Sequence, residues 1–375
     1  MSRIETLAAR AGSQADPASG ALSPPLQLAT TFEHTPDGRL PHGFLYQRYD
    51  NPTQHGTEQA LAALEGARRA LLFPTGMAAG ATALQALPAG SHVLLCDDSY
   101  FSFRAIAASQ FPRWGLGCSI VDFTDLAAVR AALRPETALL WAETPSNPLL
   151  KVSDIAALAS IAHGAGARLL VDSTFAPPVL QQPLALGADI VLHSATKYLG
   201  GHGDVMGGVL CFAEDGEHAA ACHQLRLLAG ATASPFAAWL ILRGLRSLPA
   251  RMAWHCRNAG VVAGFLAAHP KVAAVHYPGL ATHPQHAVAA RQMREFGGML
   301  SFELAGGRAQ ALAVAARLRL FTNATSLGST ESLVEHRASV EGPASTTPDR
   351  LLRLSVGLEH PEDLVADLDQ ALAGA

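Results

Sequence analysis

Short apolar runs alternate with helical stretches along the middle of the chain. The runs are too brief for helices and predict strands at His92–Cys96, Ser119–Phe123, Leu139–Glu143, Leu169–Asp172, Ile190–His193 and Gly208–Phe212. Helical stretches precede these strands at Glu58–Leu64, before Gly66, and after Gly76, and lie between them as at Asp154–His163, before Gly164. The alternation predicts an α/β fold, with a mostly parallel, doubly wound sheet covered by helices on both faces.

The two ends of the chain follow different patterns. Residues 1–52 are rich in Pro, Gly, Ser and Thr, which predicts an extended arm. After about residue 245 a helical block precedes strands predicted at Val272–His276, Met299–Leu304 and Leu352–Val356 and a last helix at Pro361–Leu372. We therefore expect an arm (1–52), a large α/β domain (53–245) and a smaller α+β C-terminal domain (246–375).

Composition narrows the class of protein. A chain of 375 residues with 49% hydrophobic and 15% charged residues is globular and long enough for about two domains. The net charge of −4, without a basic cluster, argues against nucleic-acid binding and favours a small substrate. The longest uncharged apolar stretch, Leu227–Leu242, is short for a membrane span and contains Pro235.

Location and metal content follow from the N-terminus and the cysteines. The first ten residues lack a signal-peptide core, so we expect a cytoplasmic protein. The five cysteines are odd in number and widely spaced, without a C-x-x-C pair. This spacing predicts free thiols and no metal site.

Lys197 is one of three lysines, against twenty-four arginines. Codon usage in a GC-rich genome also favours arginine, so rarity alone does not assign it a role. A lysine can lose its proton and form a Schiff base with an aldehyde, which arginine cannot do at neutral pH. Its neighbours Ser194 and Thr196 add hydroxyls, which makes pyridoxal 5'-phosphate (PLP) the aldehyde to consider.

Functional groups in such a sheet gather at the carboxyl ends of the strands. A PLP site needs a lysine, a carboxylate for the ring nitrogen and donors for the phosphate. Asp172 ends one predicted strand, and the segment with Ser194, Thr196 and Lys197 follows the next. The turn at Gly76 opens an Ala-rich helix and presents backbone N–H groups to an anion. Taken singly, the aspartate also suits a helix cap and the hydroxyls a turn.

An ordered set of motifs extends this pattern over nearly the whole chain. The motifs occupy residues 46–48, 51–53, 75–79, 97–100, 143–148, 171–175, 193–198, 326–328 and 353–357. By these motifs the chain resembles the Cys/Met-metabolism, or trans-sulfuration, family of PLP enzymes. We find no complete G-x-G-x-x-G or Walker A motif, which removes support for a nucleotide-dependent oxidoreductase.

The resemblance implies fold type I, similar to aspartate aminotransferase, and a homotetramer built from dimers with shared active sites. It implies that Lys197 binds the cofactor and moves protons, that Tyr100 stacks on the ring with a further acid–base role, and that Asp172 pairs with the ring nitrogen. The remaining cofactor residues it implies are Gly76, Met77, Asn147, Thr174, Ser194, Thr196 and, in the neighbouring subunit's site, Tyr46 and Arg48. Arg353, assisted by Ser326, is implied to bind the substrate α-carboxylate.

The activity implied is carbon–sulfur lysis or γ-replacement on cystathionine or an activated homoserine, with cystathionine γ-synthase or γ-lyase activity first. Cystathionine β-lyase, O-acylhomoserine sulfhydrylase and methionine γ-lyase activities stay open, because they share these residues. The chain departs from the family pattern at Phe101–Phe103, at Thr325 and at Glu335–Arg337. We interpret Glu335–Arg337 as a salt-bridged loop, with a substrate contact as the alternative.

Overall fold

The computed structural model describes residues 2–17, 19–342 and 345–375, which include every predicted site residue. Met1 and Ala18 of the predicted arm, and Pro343 and Ala344 of the predicted C-terminal domain, lie outside these ranges. In the described part the helices are α1 Ile4–Ala9, α2 Pro52–Glu65, α3 Gly76–Gln85, α4 Phe101–Ser109, α5 Phe111–Trp114, α6 Leu126–Ala131, α7 Ile155–Gly164, α8 Glu217–Ala229, α9 Pro235–Leu245, α10 Leu248–Ala268, α11 His286–Gln292, α12 Gly307–Arg317, α13 Arg337–Glu341 and α14 Pro361–Ala373, with a 3₁₀ helix at Pro183–Leu186.

The sheet nearer the N-terminus in the chain has seven strands. Its strands are β1 Arg69–Phe73, β2 His92–Cys96, β3 Gly117–Val121, β4 Thr137–Glu143, β5 Arg168–Asp172, β6 Ile190–His193 and β7 Gly208–Phe212, in the order β1-β7-β6-β5-β4-β2-β3. β2 to β6 run parallel, whereas β7 is antiparallel to both β6 and β1. The mostly parallel sheet confirms the predicted fold class.

Both faces of this sheet are buried, which explains why its strands are continuously apolar. Along β4, Trp141 packs on one face with the core that contains α3, and Leu140 packs on the other with α7. Side chains alternate between faces in a strand, so a strand covered on both sides needs apolar residues at every position.

A second sheet of five strands follows the long helix α10. Its strands are β8 Val272–His276, β9 Met299–Leu304, β10 Thr322–Asn323, β11 Leu333–Glu335 and β12 Leu351–Ser355, in the order β10-β11-β12-β9-β8. Leu300, Leu352 and Leu354 share a core with residues of α10, α12 and α14. Among the described residues, no helix is both long and apolar enough to cross a membrane.

Some elements differ from the sequence-based expectation. The segment predicted as an extended arm contains α1, whose Ile4 and Ala8 are buried in the core, because the density of Pro and Gly rises only after this helix. β3 lies two residues before its predicted position, since it is an edge strand with half-exposed residues and the apolar Phe123 follows its end. β1, β10 and β11 were not predicted.

Candidate active site

A cavity of about 330 Å³ opens at the carboxyl ends of β4, β5 and β6, with walls from both sheets. Every predicted site residue except Tyr46 and Arg48 lines it, that is Gly76, Met77, Tyr100, Asn147, Asp172, Thr174, Ser194, Thr196, Lys197, Ser326 and Arg353. Its walls also include residues that the sequence did not assign to the site, among them Phe103, Glu143, Phe175, Leu192, Met206, Leu327 and Arg337.

Lys197 follows β6, and its amine points at Ser326, which lies between β10 and β11. Its Nζ donates a hydrogen bond of 2.6 Å to Ser326 Oγ. Burial, together with the nearby Arg353 charge, lowers the pKa of Lys197 to about 8. Ser326 has a φ of 102°, a strained value for a residue with a side chain, of the kind found at functional sites. A larger fraction of this lysine than of an ordinary lysine is therefore neutral and nucleophilic near neutral pH.

The loop that carries the lysine is fixed from behind by Arg251 of α10. Arg251 is buried, and its guanidinium donates to the carbonyls of Tyr198 and Gly244, both at 2.8 Å. Gly201 has a φ of +73°, and a Cβ there would lie 2.1 Å from Arg251 Nη1. A glycine at 201 thus lets the guanidinium pack directly on the loop backbone.

Asp172 and Thr174 form a compact turn at the end of β5. Asp172 Oδ1 accepts hydrogen bonds from the Thr174 N–H at 3.0 Å and from Thr174 Oγ1 at 2.6 Å. The same Oγ1 accepts from the Ser194 N–H at 2.9 Å. The hydroxyl of Thr174 therefore joins the carboxylate to the start of the lysine loop, while no described residue donates to Asp172 Oδ2.

Glu143 is a site residue to which the sequence analysis gave no role, although it ends β4 beside Asp172. The two residues are register partners on neighbouring strands, and Glu143 Oε2 accepts from the Tyr100 N–H at 2.6 Å. Burial raises the pKa of Asp172, although its hydrogen bonds to Thr174 oppose the shift. Burial and the Asp172 charge raise the pKa of Glu143 well above its ordinary value.

The turn at the start of α3 also lines the cavity. The Thr75 side chain caps α3 by accepting from the Ala78 N–H at 3.0 Å. The N–H groups of Gly76 and Met77 belong to the first helical turn and have no acceptor within the helix. A Cβ at Gly76 would lie 3.0 Å from Ser194 Cβ, so glycine lets this turn approach the lysine loop.

Arg353 enters the cavity from β12. Its Nη1 donates to Asn147 Oδ1 at 3.0 Å, and its Nη2 donates to the Ser326 carbonyl at 3.2 Å and to Glu335 Oε2 at 2.7 Å. Burial and the neighbouring Arg337 charge lower the pKa of Arg353 to about 10, so it stays a cation at neutral pH. The Glu335–Arg337 segment is salt-bridged, and Arg337 also lines the cavity.

Tyr46 and Arg48 lie outside this cavity. Arg48 donates to the Leu227 carbonyl at 3.4 Å and stacks over the rings of Tyr46 and Tyr49, at 5.8 and 4.8 Å. Tyr46 is 43% exposed. Within one chain, Tyr46 and Arg48 therefore do not line the cavity with the other predicted site residues.

The cavity fits PLP in its chemistry. Lys197 offers an amine with a lowered pKa, and Asp172 has an oxygen to which no described residue donates. Gly76 and Met77 offer N–H groups of the first helical turn beside the hydroxyls of Ser194 and Thr196. These are the partners needed by an aldehyde, a ring N–H and a phosphate.

Comparison with known proteins gives the same assignment. Residues 5–373 match the family described as Cys/Met metabolism PLP-dependent enzyme. A cystathionine gamma-synthase of Mycobacterium bovis is 48% identical over 373 residues, which are 98% of this chain and 96% of that protein. A cystathionine beta-lyase of Coxiella burnetii is 43% identical over 380 residues, 99% of this chain and 98% of that one. The crystal structure of cystathionine gamma synthase from Xanthomonas oryzae pv. oryzae, in complex with aminoacrylate and cysteine, has a TM-score of 0.95 at 40% identity and covers 100% of this chain and 98% of its own.

The sheet order, and the lysine and aspartate at neighbouring strand ends, define a PLP enzyme of fold type I. The chain belongs to the Cys/Met-metabolism family of PLP-dependent enzymes. The predicted family, fold class and cofactor are thereby confirmed.

Proposed function

We propose that this protein catalyses γ-replacement on an activated homoserine with cysteine as the thiol, as a cystathionine γ-synthase, with carbon–sulfur lysis of cystathionine as a related activity. The observation that carries the proposal is the cavity in which Lys197, Asp172 and Arg353 meet. The 48% identity to a protein named cystathionine gamma-synthase, over 98% of this chain, supports the choice of substrate.

Each side chain has a role in this proposal. When bound, PLP would supply an aldehyde for the substrate amine and a protonated ring that accepts the electron pair of the substrate α carbon. Asp172 would hold the proton on the ring nitrogen, with Thr174 fixing its carboxylate. The phosphate would be held by Gly76, Met77, Ser194 and Thr196, and the ring by Tyr100 and Asn147.

Arg353 and Lys197 would act on the substrate itself. The Arg353 guanidinium, assisted by Ser326, would bind the α-carboxylate and so orient the α carbon toward Lys197. The neutral Nζ of Lys197 would take the α-proton and, for γ chemistry, a second proton from the β carbon. Its lowered pKa matches a group that must accept a proton near neutral pH.

The quaternary arrangement belongs to the same proposal. We place the protein in the cytoplasm as a homotetramer, with residues 53–245 binding the cofactor and 246–375 completing the substrate site. Tyr46 and Arg48 of the arm would then reach the phosphate in a neighbouring subunit. The exposure of large apolar side chains, such as Leu22 at 68% on the arm and Leu228 at 74% on α8, supports a covered surface in the assembly.

Product analysis tests the reaction. The cofactor-loaded protein is incubated with an O-acylhomoserine and cysteine, and separately with cystathionine. We expect cystathionine from the first mixture and 2-oxobutyrate from the second, and Lys197→Ala should lower both rates by at least about 10²–10⁴-fold. Pyruvate without 2-oxobutyrate would overturn the γ assignment in favour of β-lysis, which the 43% identity to a named cystathionine beta-lyase makes the second candidate. Retained activity in Lys197→Ala would overturn the role of the lysine.

A further inference from the structure

Arg337, at the start of α13, lies in the cavity wall and has no role in the reaction proposed above. Its side chain is only 1% exposed. Nη1 donates to Glu335 Oε2 at 2.7 Å and Nη2 to Glu341 Oε1 at 2.9 Å, and the guanidinium lies 5.5 Å from the centre of the Phe101 ring. Among the described residues, Nε has no hydrogen-bond partner. A buried cation is thus held beside the substrate space.

Glu335 is shared between this arginine and the one proposed to bind substrate. Its Oε2 accepts from both Arg337 Nη1 and Arg353 Nη2, at 2.7 Å each, while Oε1 accepts from Thr325 Oγ1 at 2.6 Å. Both arginines and Glu335 are buried, so their charges are poorly screened. Without Arg337, the Glu335 carboxylate would form its ion pair with Arg353 alone.

We propose that Arg337 is a positioning residue for substrate recognition: by sharing Oε2 of Glu335, it keeps the positive charge of Arg353 available to the carboxylate of the amino-acid substrate. An arginine already neutralised by one carboxylate attracts a second carboxylate less strongly. Glu341 balances Arg337 and makes no hydrogen bond to Arg353 in the described part of the chain. The inference rests on the proposed role of Arg353.

The test uses butyrate, a carboxylate without an amine, and measures its binding to the cofactor-loaded enzyme by calorimetry alongside KM and kcat. Arg337→Met should weaken butyrate binding and raise KM about tenfold each, with kcat within about twofold of wild type. Removing the carboxylate as well, in Glu335→Gln/Arg337→Met, should restore most of the affinity. Arg337→Lys, which keeps the charge, should lose less affinity than Arg337→Met.

Thermal melting and cofactor absorbance establish that each variant folds. If Arg337→Met does not fold, Arg337→Lys and the double variant carry the test. Unchanged butyrate affinity in a folded Arg337→Met protein, equal losses in the Lys and Met variants, or a double variant as weak as the single one would each overturn the proposal. Arg353→Met separates the proposed function from the inference about Arg337. If Arg353→Met leaves butyrate binding intact, the role of Arg353 fails. If Arg353→Met abolishes butyrate binding while Arg337→Met leaves it unchanged, only the role of Arg337 fails.

Discussion

Thr174→Val removes one hydroxyl that serves two buried partners while keeping the side-chain shape. The variant loses the 2.6 Å bond to Asp172 Oδ1 and leaves the Ser194 N–H without its acceptor. A hydrogen bond to a charged group contributes about 1.5–3 kcal/mol, and an unsatisfied buried N–H costs about 1–3 kcal/mol. Allowing for relaxation, we expect the free energy of unfolding to fall by about 3 kcal/mol.

The chain contains a matched control for this change. Thr124 repeats the turn at the end of β3, with its N–H and hydroxyl donating to Asp122 Oδ1 at 2.8 and 2.7 Å, but no backbone N–H among the described residues donates to its hydroxyl. The Asp122 side chain is 38% exposed, so water can replace the lost bond, and Thr124→Val should cost less than about 1 kcal/mol.

Thermal unfolding of the cofactor-free proteins at one fixed concentration measures the difference. For 375 residues the entropy of unfolding is about 0.8 kcal/mol/K, so 3 kcal/mol corresponds to a lower Tm by about 4 °C. Because burial raises the pKa of Asp172 and the ionised carboxylate gains most from the hydroxyl, the loss should grow as the pH rises. Equal shifts in Thr174→Val and Thr124→Val, or no shift in the former, would refute the bridging role of Thr174.

Two further predictions concern the lysine and the sheet. Because burial lowers the pKa of Lys197 to about 8, the neutral fraction in the cofactor-free protein should rise from about one-tenth at pH 7 to about nine-tenths at pH 9. The rate of PLP capture, followed by stopped-flow absorbance, should therefore level off above about pH 9, and a rate that still climbs steeply at pH 10 would contradict the shift. Gly208→Ala would place a Cβ 2.2 Å from the Thr75 carbonyl, so we expect a loss of about 3 kcal/mol in thermal unfolding. Gly260→Ala, which meets open space on α10, should be neutral or slightly stabilising, and a similar loss in both variants would argue against the steric cause.

The part of the site built by neighbouring strands was predictable from the sequence. Each of β4, β5 and β6 is an apolar run that stops at a polar residue, and parallel neighbours bring those residues to one edge. The positions of Asp172 and Lys197 follow from this rule and from the length of the runs. The family motifs added Arg353, whose strand lies in another sheet.

The electrostatic arrangement around Arg353 was not predictable in the same way. Glu335 and Arg337 are two positions apart in the sequence. Nothing in this spacing indicates that Oε2 of Glu335 accepts hydrogen bonds from both Arg337 and Arg353. β1 was missed because its apolar run of only four residues follows two arginines, so its strand character depends on pairing with β7. Such features depend on contacts between segments far apart in the chain.

The position of β7 in the sheet determines when the protein becomes able to take up its cofactor. β7 lies between β1 and β6, so the turn at Gly76 and the loop at Ser194 meet at one edge only after the strand beginning at Gly208 is inserted between them. Contacts of such long sequence separation form slowly, because the chain must first close a large loop. A chain still emerging from the ribosome therefore has no complete phosphate site until residues beyond 212 are free, and Arg353 arrives later still. Cofactor capture thus requires the chain up to β7, whereas substrate binding through Arg353 requires nearly the whole polypeptide.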